Sequence, residues 1–434
     1  MSNKLIFYIL IIMVPIISYA EIDWNTVNLA RAFGKDIFEL NGVPYLQPMV
    51  ESINATSNSR FFNQAYVPSE VDKPYFKISV NTMLGFVRDN QKTYSPQLPT
   101  AYFDISNPQT WGELQKYADI DLMHQKIIIK DTAGLMYYAL KTVLYDGIYG
   151  AHKGLIKVPQ NSATILGKQD TLFYLPHNAL DSLVRSNPVY QFLPKSFQDT
   201  LIATIAKFPE SFALPPGANI NTMFAIVPQF EIGSLFGTEM LIRFIPPVYM
   251  GSNIGHFAFW GIGLKHSISQ YFPGMPFDMA VQAVYQGTSL KNDIGVTSSK
   301  LNTMATFWDF NLQIGKSYLD DKLNFYSGFS FESININSDF TFTLPIALQW
   351  QLGLIEGKYV PVPNSKDSVF VLMPPDPARG FPGDSVKQTS NIRINDFNFK
   401  WVIGASYQIG PIAVFLDYNV SKFNIFTGGI EVSF

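Results

Sequence analysis

Histidine is the side chain most often used for metal binding and for acid–base catalysis, and the 434-residue chain contains five. They are His124, His152, His177, His256 and His266. None forms an HExxH pair or another recognisable metal-binding spacing. His266 precedes Ser267, which would suit a membrane-embedded hydrolase, but adjacent residues of a strand point to opposite faces and cannot pair directly. We therefore predict no catalytic residue, no cofactor and no metal, and we expect the protein not to be an enzyme.

Acidic and basic side chains offer two further candidate sites. Asp119 and Asp121, with Glu113, could form a calcium site or an acidic dyad, although a solvated face is the more ordinary reading. Four more ionisable residues lie on predicted strands, namely Glu231, Glu239, Arg243 and Lys265. Glu239 and Arg243 share the parity that would face a barrel lumen, where a structural salt-bridge network is favoured over a selectivity element.

The composition restricts the class of protein that must position these residues. Hydrophobic residues make up 47% of the chain and charged residues 15%, whereas a soluble domain carries about 25% charge. After the N-terminus there is no apolar run of the ~20 residues that a membrane-spanning helix needs. A lipid-facing β-surface accounts for both observations. The absence of cysteine excludes a disulfide framework, and the net charge of −3 predicts no nucleic-acid partner.

The first twenty residues are typical of a secretory signal peptide. Lys4 supplies the positive region, Leu5 to Ile17 supply the apolar region, and Ser18 and Ala20 are the small residues before a cleavage site. We predict cleavage after Ala20, so that domain 1–20 is removed and 21–434 forms the mature protein. The predicted location is the outer membrane of a Gram-negative cell.

Most of the mature chain alternates apolar and polar residues with a period of two. Phe397, Phe399, Trp401 and Ile403 alternate with Asn398, Lys400 and Gly404. A soluble sandwich would also alternate, but here the polar set is rich in Gly, Ser, Asn and Gln, and aromatic residues recur near strand ends. The fold class predicted is all-β, a transmembrane antiparallel up-and-down β-barrel.

The C-terminal strand supports this class. Phe423 to Phe434 alternates and ends in Phe, which resembles the signal read by the barrel assembly machinery, so we predict that machinery as a partner together with outer-membrane lipid. Counting back from Phe434, the turn at Gln408–Pro411 is periplasmic, and the Pro-rich segment Gly357–Gln388 is an outer loop.

The strand count follows from the same procedure. About nine strands are predicted after Met223, and an odd number must precede them. The candidates are Tyr45–Ile53, Phe76–Phe86, Ala101–Ile105, Lys126–Tyr137 and Tyr138–Tyr149. Five would give about 14 strands and three would give 12, and we prefer 14.

Two segments have helical rather than strand patterning. Segment 21–43 carries apolar residues at helical spacing, capped by Asp23 or Asn25, and predicts a periplasmic helix, a lumenal plug or a helix on the barrel rim. Insertion 150–216 predicts a lid, an inward-folded plug or an outer-loop subdomain that covers the rim.

Several stretches resemble an uncharacterised family of Bacteroidota outer-membrane barrel proteins, a domain of unknown function. They include Tyr45-Leu46-Gln47-Pro48, Phe212-Ala213-Leu214-Pro215-Pro216-Gly217 and, most distinctively, Trp260-Gly261-Ile262-Gly263-Leu264-Lys265-His266-Ser267. The early strands are also distantly similar to FadL-type barrels that move hydrophobic compounds. The resemblance implies the fold and the location but no catalytic residues.

Two functions follow from this reading. The first is a porin-like channel or transporter for small, possibly hydrophobic, solutes, because twelve or more strands would enclose a lumen. The alternative is a non-transport barrel that anchors or scaffolds surface or secretion partners.

Overall fold

A computed structural model describes residues 22–61, 64–104, 106–121, 126–187, 190–191, 193–249, 255–294, 299–361 and 368–434. The predicted signal peptide and its cleavage site after Ala20 lie outside the described residues, as does His124. Among the described residues, no helix is long and apolar enough to cross a membrane.

Helices and short hairpins dominate the N-terminal half of the chain, and long strands dominate the C-terminal half. The first half contains α1 (Trp24–Ser57), β1 (Tyr75–Phe86), β2 (Thr93–Tyr94), α2 (Pro108–Leu114), β3 (Ala118–Asp121), β4 (Lys126–Ile129), α3 (Thr132–Tyr149), β5 (Ser162–Ala163), β6 (Leu172–Tyr174), α4 (His177–Ser186), α5 (Lys195–Lys207) and β7 (Ser211–Ala213). The second half contains β8 (Thr222–Leu235), β9 (Thr238–Tyr249), β10 (His256–Ser267), β11 (Asp278–Ile294), β12 (Ser299–Tyr318), β13 (Leu323–Phe342), α6 (Ile346–Gln351), β14 (Gly357–Pro361), β15 (Ser368–Leu372), β16 (Gln388–Ile409), β17 (Ile412–Val420) and β18 (Ile425–Ser433).

Ten strands of the described chain form a closed antiparallel barrel in the order β1-β18-β17-β16-β13-β12-β11-β10-β9-β8. The ring closes where β1 pairs with both β18 and β8. Phe434 extends this seam, because its N–H donates to the carbonyl of Phe76 at 2.8 Å. The predicted antiparallel barrel is confirmed, and nine of its strands begin at or after Thr222, as expected.

The predicted count of about 14 strands is wrong, and 12 is wrong as well. Only one of the five early candidates, Phe76–Phe86, joins the barrel. Tyr45–Ile53 is the second half of α1, and Ala101–Asp104 has no regular structure. Tyr138–Tyr149 lies in α3, where Asp131 caps the helix by accepting from the N–H of Gly134 at 2.9 Å. The apolar residues of α3 recur at three- and four-residue spacing, so they bury one helix face.

Helix α1 is longer than the predicted segment 21–43. Asp23 is its N-cap and accepts from the N–H groups of Asn25 and Thr26, as the sequence predicts. The helix continues through Pro44 and Pro48 to Ser57. Asn41 supports it near the prolines, because its buried amide donates to the carbonyls of Ile37 and Gln97 and accepts from the N–H of Gln97. Tertiary contacts therefore override the helix-breaking tendency of proline here.

The connections separate the barrel into two ends of different character. At the turn end, where Phe434 lies, the strands are joined by 236–237, 268–277, 319–322 and 410–411. At the loop end they are joined by 87–221, 250–255, 295–298, 343–387 and 421–424. The turn at Gln408–Pro411 and the Pro-rich segment Gly357–Gln388 lie at opposite ends, as predicted. The two longest connections are both at the loop end, but three others there have four to six residues and 268–277 at the turn end has ten.

A helical cap covers the loop end. We define the cap as residues 87–221 and 343–387 together with the first half of α1, 24–40. Its core gathers apolar side chains from all three parts, including Phe33, Leu144, Leu183, Phe208 and Leu348. Phe33 packs edge-on against Phe208 and Phe212, with ring centroids 5.6 and 4.7 Å apart. Insertion 150–216 is therefore part of a folded cap and not an isolated loop.

Candidate functional site: the plugged lumen

The outward face of the barrel is apolar around its circumference. Each long strand presents large hydrophobic side chains to the outside at alternate positions, and the exposed set includes Ile78, Phe244, Leu264, Phe310, Phe329, Trp401, Leu416 and Ile430. On this surface Tyr285 packs between Trp260 and Trp308, with ring centroids 5.4 and 4.4 Å away. So large an exposed apolar surface marks contact with a membrane or a protein partner.

The polarity of the two barrel faces inverts part-way along the longest strands. On β13 the outward side chains change from Phe329 and Phe331 to Ser333 and Asn335, while the inward ones change from Ser330 and Glu332 to Ile334 and Ile336. Strands β12 and β16 invert at the same level, because Trp308 pairs with Ser333 and Ser333 pairs with Phe397. Most outward residues beyond this level are polar, with Met304 of β12 as an apolar exception; the polar ones include Asn302, Thr306, Asn335, Asn337, Asp339, Asn391, Arg393 and Asn395.

The inversion level fixes the height of the apolar band. Trp308 at the inversion level and Tyr318 at the turn end are ten positions apart on β12. At a rise of about 3.3 Å per residue and a tilt of about 40°, this step spans about 25 Å along the barrel axis. That is the height of the apolar band of outer-membrane barrels.

Inside the band, the lumen is filled with paired polar and charged side chains. Glu239 receives Lys265 at 2.6 Å, Lys77 at 2.9 Å and the hydroxyl of Tyr75 at 2.7 Å. A second cluster centres on Glu332, which pairs with Lys400 at 2.5 Å and accepts from the amide of Asn398 at 2.7 Å. Ser330 joins this cluster to Asp309. A low-dielectric interior tolerates such charges only when they are paired.

The chain segment that follows α1 runs through this polar lumen, and we call its described residues, 58–61 and 64–74, the plug segment. Its backbone carbonyls accept hydrogen bonds from barrel cations. Arg243 donates to the carbonyls of Ser59 and Arg60 at 2.7 and 2.8 Å, and Lys265 donates to that of Gln64 at 3.1 Å. The plug segment then enters β1 at the turn end, so the chain crosses the lumen from one end of the barrel to the other.

Arg60 fixes the plug segment to the opposite wall. Its guanidinium lies 3.5 Å from the centroid of the Phe415 ring and 3.7 Å from the Glu431 carboxylate, and it donates to the hydroxyl of Tyr326 at 3.3 Å. Arg60 has a positive φ of 64°, a conformation that non-glycine residues adopt rarely. The surrounding contacts hold the backbone in this turn.

Beyond the polar section, toward the loop end, the second half of α1 and Phe38 from its first half fill the lumen with apolar contacts. Val50, Leu46 and Phe38 pack against the inverted inner faces of β12, β13 and β16. Phe38 stacks on Phe340 with centroids 4.4 Å apart. The helix approaches β16 so closely at Gly42 that an added Cβ would lie 2.4 Å from Ile392 Cδ1. The inner wall of the barrel is thus apolar where it surrounds α1, toward the loop end, and polar where it surrounds the plug segment, toward the turn end.

A cleft of about 410 Å³ remains beside α1 at the loop end. It lies next to the short connection between β17 and β18, where the barrel wall is lowest, because β16 pairs with β17 only from Trp401 onward. The cleft is lined by Pro44, Gln47, Pro48, Glu51, Asn90, Gln91, Thr93, Thr164 and Lys422. Seven of these nine residues have polar side chains, and Lys422 also contacts Asp396.

The residues singled out for acid–base or metal chemistry do not converge. Glu113 pairs with Lys116 and Asp119 with Lys130, all on the surface, while the Asp121 side chain lies outside the described part. His266 contacts Thr238 and Tyr271, whereas Ser267 faces inward beside Ser269. His152 contacts Asp146, and His177 contacts the carbonyl of Phe208. Within the described residues, no three His, Asp or Glu side chains form a metal-binding group.

Glu231, Glu239, Arg243 and Lys265 are all buried inside the barrel, so the lumenal placement predicted for Glu239 and Arg243 is confirmed. The alternation of β16 had already placed Lys400 in its polar set, but sequence reasoning missed Arg60 and Asp417, which share the same lumen. The parity of Asp417 within its strand could have located it. Arg60 carries no such signal, because it lies outside any strand.

Residues 1–434 match the family described as "Family of unknown function (DUF6588)". The chain belongs to this family. The match confirms the predicted membership of a family without an assigned function. A comparison with curated proteins finds no match.

Proposed function

We propose that the protein is an integral outer-membrane barrel that anchors a folded cap at the cell surface and does not act as an open channel. The observation that carries this proposal is the filled lumen. The plug segment is bonded to several walls of the barrel through Arg243, Lys265 and Arg60. A route for solutes would require the breaking of these buried contacts.

The membrane placement rests on the outward band of about 25 Å and on the aromatic residues near its edges. In this proposal Phe434 is read by the barrel assembly machinery, and the peptide 1–20 is removed after Ala20. The turn end then faces the periplasm, and the cap faces the outside. An origin in Bacteroidota and a distant relation to FadL-type barrels also remain proposals.

The anchor is favoured over the channel because of the barrel's size. A barrel of about eight strands has an interior that side chains fill, and aqueous channels are found at 16–18 strands. The ten strands lie near the lower value. The prediction of a channel depended on a lumen of twelve or more strands, which the barrel does not have.

A gated transporter is the second candidate, and the cleft beside α1 favours it. The cleft adjoins the plug, so a small solute could enter there if α1 and the plug segment moved. This candidate differs from the anchor in one respect, because transport needs the plug to leave its place and anchoring needs it to stay.

A disulfide between plug and wall separates the two functions. Ala65 lies in the plug segment, and a Cβ added to Gly315 of β12 would lie 3.3 Å from the Ala65 Cβ, close to the disulfide range of about 3.5–4.5 Å. The chain has no cysteine, so the double variant Ala65→Cys, Gly315→Cys would form a single defined bond. Permeation of arabinose into proteoliposomes would be measured for the oxidised and reduced variant, with thiol labelling to confirm each state.

The anchor predicts no permeation in either redox state. Permeation only after reduction would favour the transporter. Permeation in both states would contradict the filled lumen itself. The wild-type protein, treated with the same oxidant and reductant, controls for effects of the reagents.

A further inference from the structure

Strand β15 has the sequence of a strand buried in the middle of a sheet, yet it lies at an open edge. All five residues of Ser368-Val369-Phe370-Val371-Leu372 lack charge, and four are large and apolar. A continuous apolar run is typical of strands covered on both faces. In the described structure, β15 pairs only with β14, in a two-stranded sheet separate from the barrel.

Both faces of this hairpin are open to solvent. On one face lie Val360, Val369 and Val371, with Lys358 of β14 directly opposite Val371, and Val369 is 54% exposed. On the other face Phe370 contacts Trp350 and Tyr359 edge-on, with centroids 5.3 and 5.2 Å apart, and Tyr359 is 72% exposed. An isolated two-stranded hairpin with such exposure is marginal in water, so a covering partner would stabilise it.

The two edges of the hairpin differ in how well their residues prevent the addition of another strand. Strand β14 carries Lys358 and Pro361, a charge and a residue without an N–H, which are the usual devices against strand addition. Strand β15 carries neither. Its outer edge therefore offers unpaired main-chain groups of alternate residues to another strand.

We propose that the β15 edge is the docking site for an extended, uncharged apolar segment of a partner protein, which adds a strand to the hairpin. This inference rests on the proposed anchor function, since it names the surface through which the anchored cap holds its partner. Main-chain hydrogen bonds would give the affinity, and the two apolar faces would accept alternate side chains.

The size of the surface favours a segment over a second folded copy of this chain. A stable dimer of folded proteins buries about 800 Å² and about 20–30 residues on each side. The hairpin offers ten paired residues, with Trp350 beside them. That area suits a short peptide strand.

The hairpin also lies away from the proposed bilayer. It projects from the connection between β13 and β16, strands that continue for about ten residues beyond the inversion level. The surface is therefore placed to meet a protein outside the membrane and not the lipid.

The test uses the full-length protein in detergent and a fluorescent peptide with the sequence of β15, flanked by lysines for solubility. We expect saturable binding that weakens at least tenfold in the double variant Val369→Lys, Val371→Lys. The matched control Val386→Lys changes an equally exposed valine of the same loop and should leave binding unchanged. N-methylation of one alternate set of peptide amides should abolish binding, and N-methylation of the other set should leave binding unchanged. This difference is the signature of strand addition.

Absence of saturable binding, or equal binding by both valine variants, would overturn the proposal. Sedimentation of the wild-type protein without peptide tests the other occupant, and a stable dimer dissociated by Val369→Lys, Val371→Lys would replace the partner segment with a second copy. Peptide binding does not depend on lumenal permeation, so the docking site and the anchor function can fail separately.

Discussion

At the scale of single residues, Arg243 has the most demanding position in the barrel. Its fully buried guanidinium donates to two plug carbonyls and to the side chain of Gln229, and it lies 4.2 Å from the Phe61 ring centroid. One side chain of β9 thus joins the barrel wall to the plug segment. Arginine suits this position because its planar fork directs several donors at once.

Replacing Arg243 with alanine should loosen the plug before it unfolds the barrel. The carbonyls of Ser59 and Arg60 would each lose a charged donor, at about 1–3 kcal/mol for a buried unsatisfied group. Hydrogen exchange of the plug amides should accelerate at least tenfold, while exchange in β12 and β13 stays slow. Arg393→Ala, on the outward face beyond the inversion level, is the control and should change neither. Unchanged plug exchange in Arg243→Ala would show that the contacts do not hold the plug.

Sequence parity locates lumenal side chains once strands are known, but it cannot assign their partners. Glu239 and Lys265 share the inward face of adjacent strands, and their pairing at 2.6 Å depends on the register of β9 against β10. Arg60 was not predictable at all, because its position depends on a chain segment that crosses the lumen. Glu113 and Asp119 lie on the surface, each paired with a lysine, which agrees with the solvated face that the sequence favoured over a calcium site.

At the scale of elements, the reversal of polarity along β13 determines both the height of the apolar outer band and the position of α1 in the lumen. The sequence alternates apolar and polar residues over most of Leu323 to Phe342, with a change of phase at Glu332-Ser333, and this predicts one strand correctly. The alternation does not show which set faces outward, because both sets contain apolar residues. The pairing of β13 with β12 and β16 shows that the outward face changes from apolar to polar at the same level on all three strands.

Substitutions on the outward face of β13 test the band directly. Phe329→Arg lies between the inversion level and the turn end, where an arginine facing lipid costs about 2–4 kcal/mol. Asn335→Arg lies on the same face above the inversion level and should cost less than about 0.5 kcal/mol. Urea unfolding in liposomes would measure both free energies. Equal costs for the two variants would be incompatible with a lipid boundary between them.

Helix α1 shows why the early strands were assigned wrongly. Tyr45–Ile53 was predicted to be a strand, whereas α1 continues through Pro44 and Pro48 to Ser57. The helix persists because it is enclosed by the barrel wall on one side and the cap on the other. No local signal in the sequence reports such enclosure.

The cap and the barrel should lose stability separately. Phe33→Ala removes a fully buried ring between Phe208 and Phe212 and should destabilise the cap by about 3–5 kcal/mol. Limited proteolysis should then cut within 87–221 while the barrel strands remain protected. Leu40→Ala, at an exposed position of the same helix, serves as the control. Simultaneous loss of the barrel in Phe33→Ala would mean that cap and barrel unfold as one unit.

At the scale of the whole molecule, the fold combines three parts. They are a barrel with an apolar outer band, the helix α1 and plug segment that fill its lumen, and a cap at the loop end. The antiparallel barrel and its nine C-terminal strands were predictable, because they follow from local alternation and turn residues. The strand total and the use of α1 as a filling element were not, because they depend on contacts between distant parts of the chain. A barrel of this kind is suited to hold a surface domain in place.

The measurement that tests this account most directly is quenching of single tryptophans by lipids brominated in their acyl chains. Of the six tryptophans, Trp401 lies on the outward face within the band and Trp350 lies in α6 of the cap. Two variants would each retain one of these residues, with phenylalanine at the other five positions, in proteoliposomes of brominated and ordinary lipid. We expect strong quenching of Trp401 and none of Trp350. Equal emission of Trp401 in both lipids would contradict a lipid-facing band and the membrane anchor that depends on it.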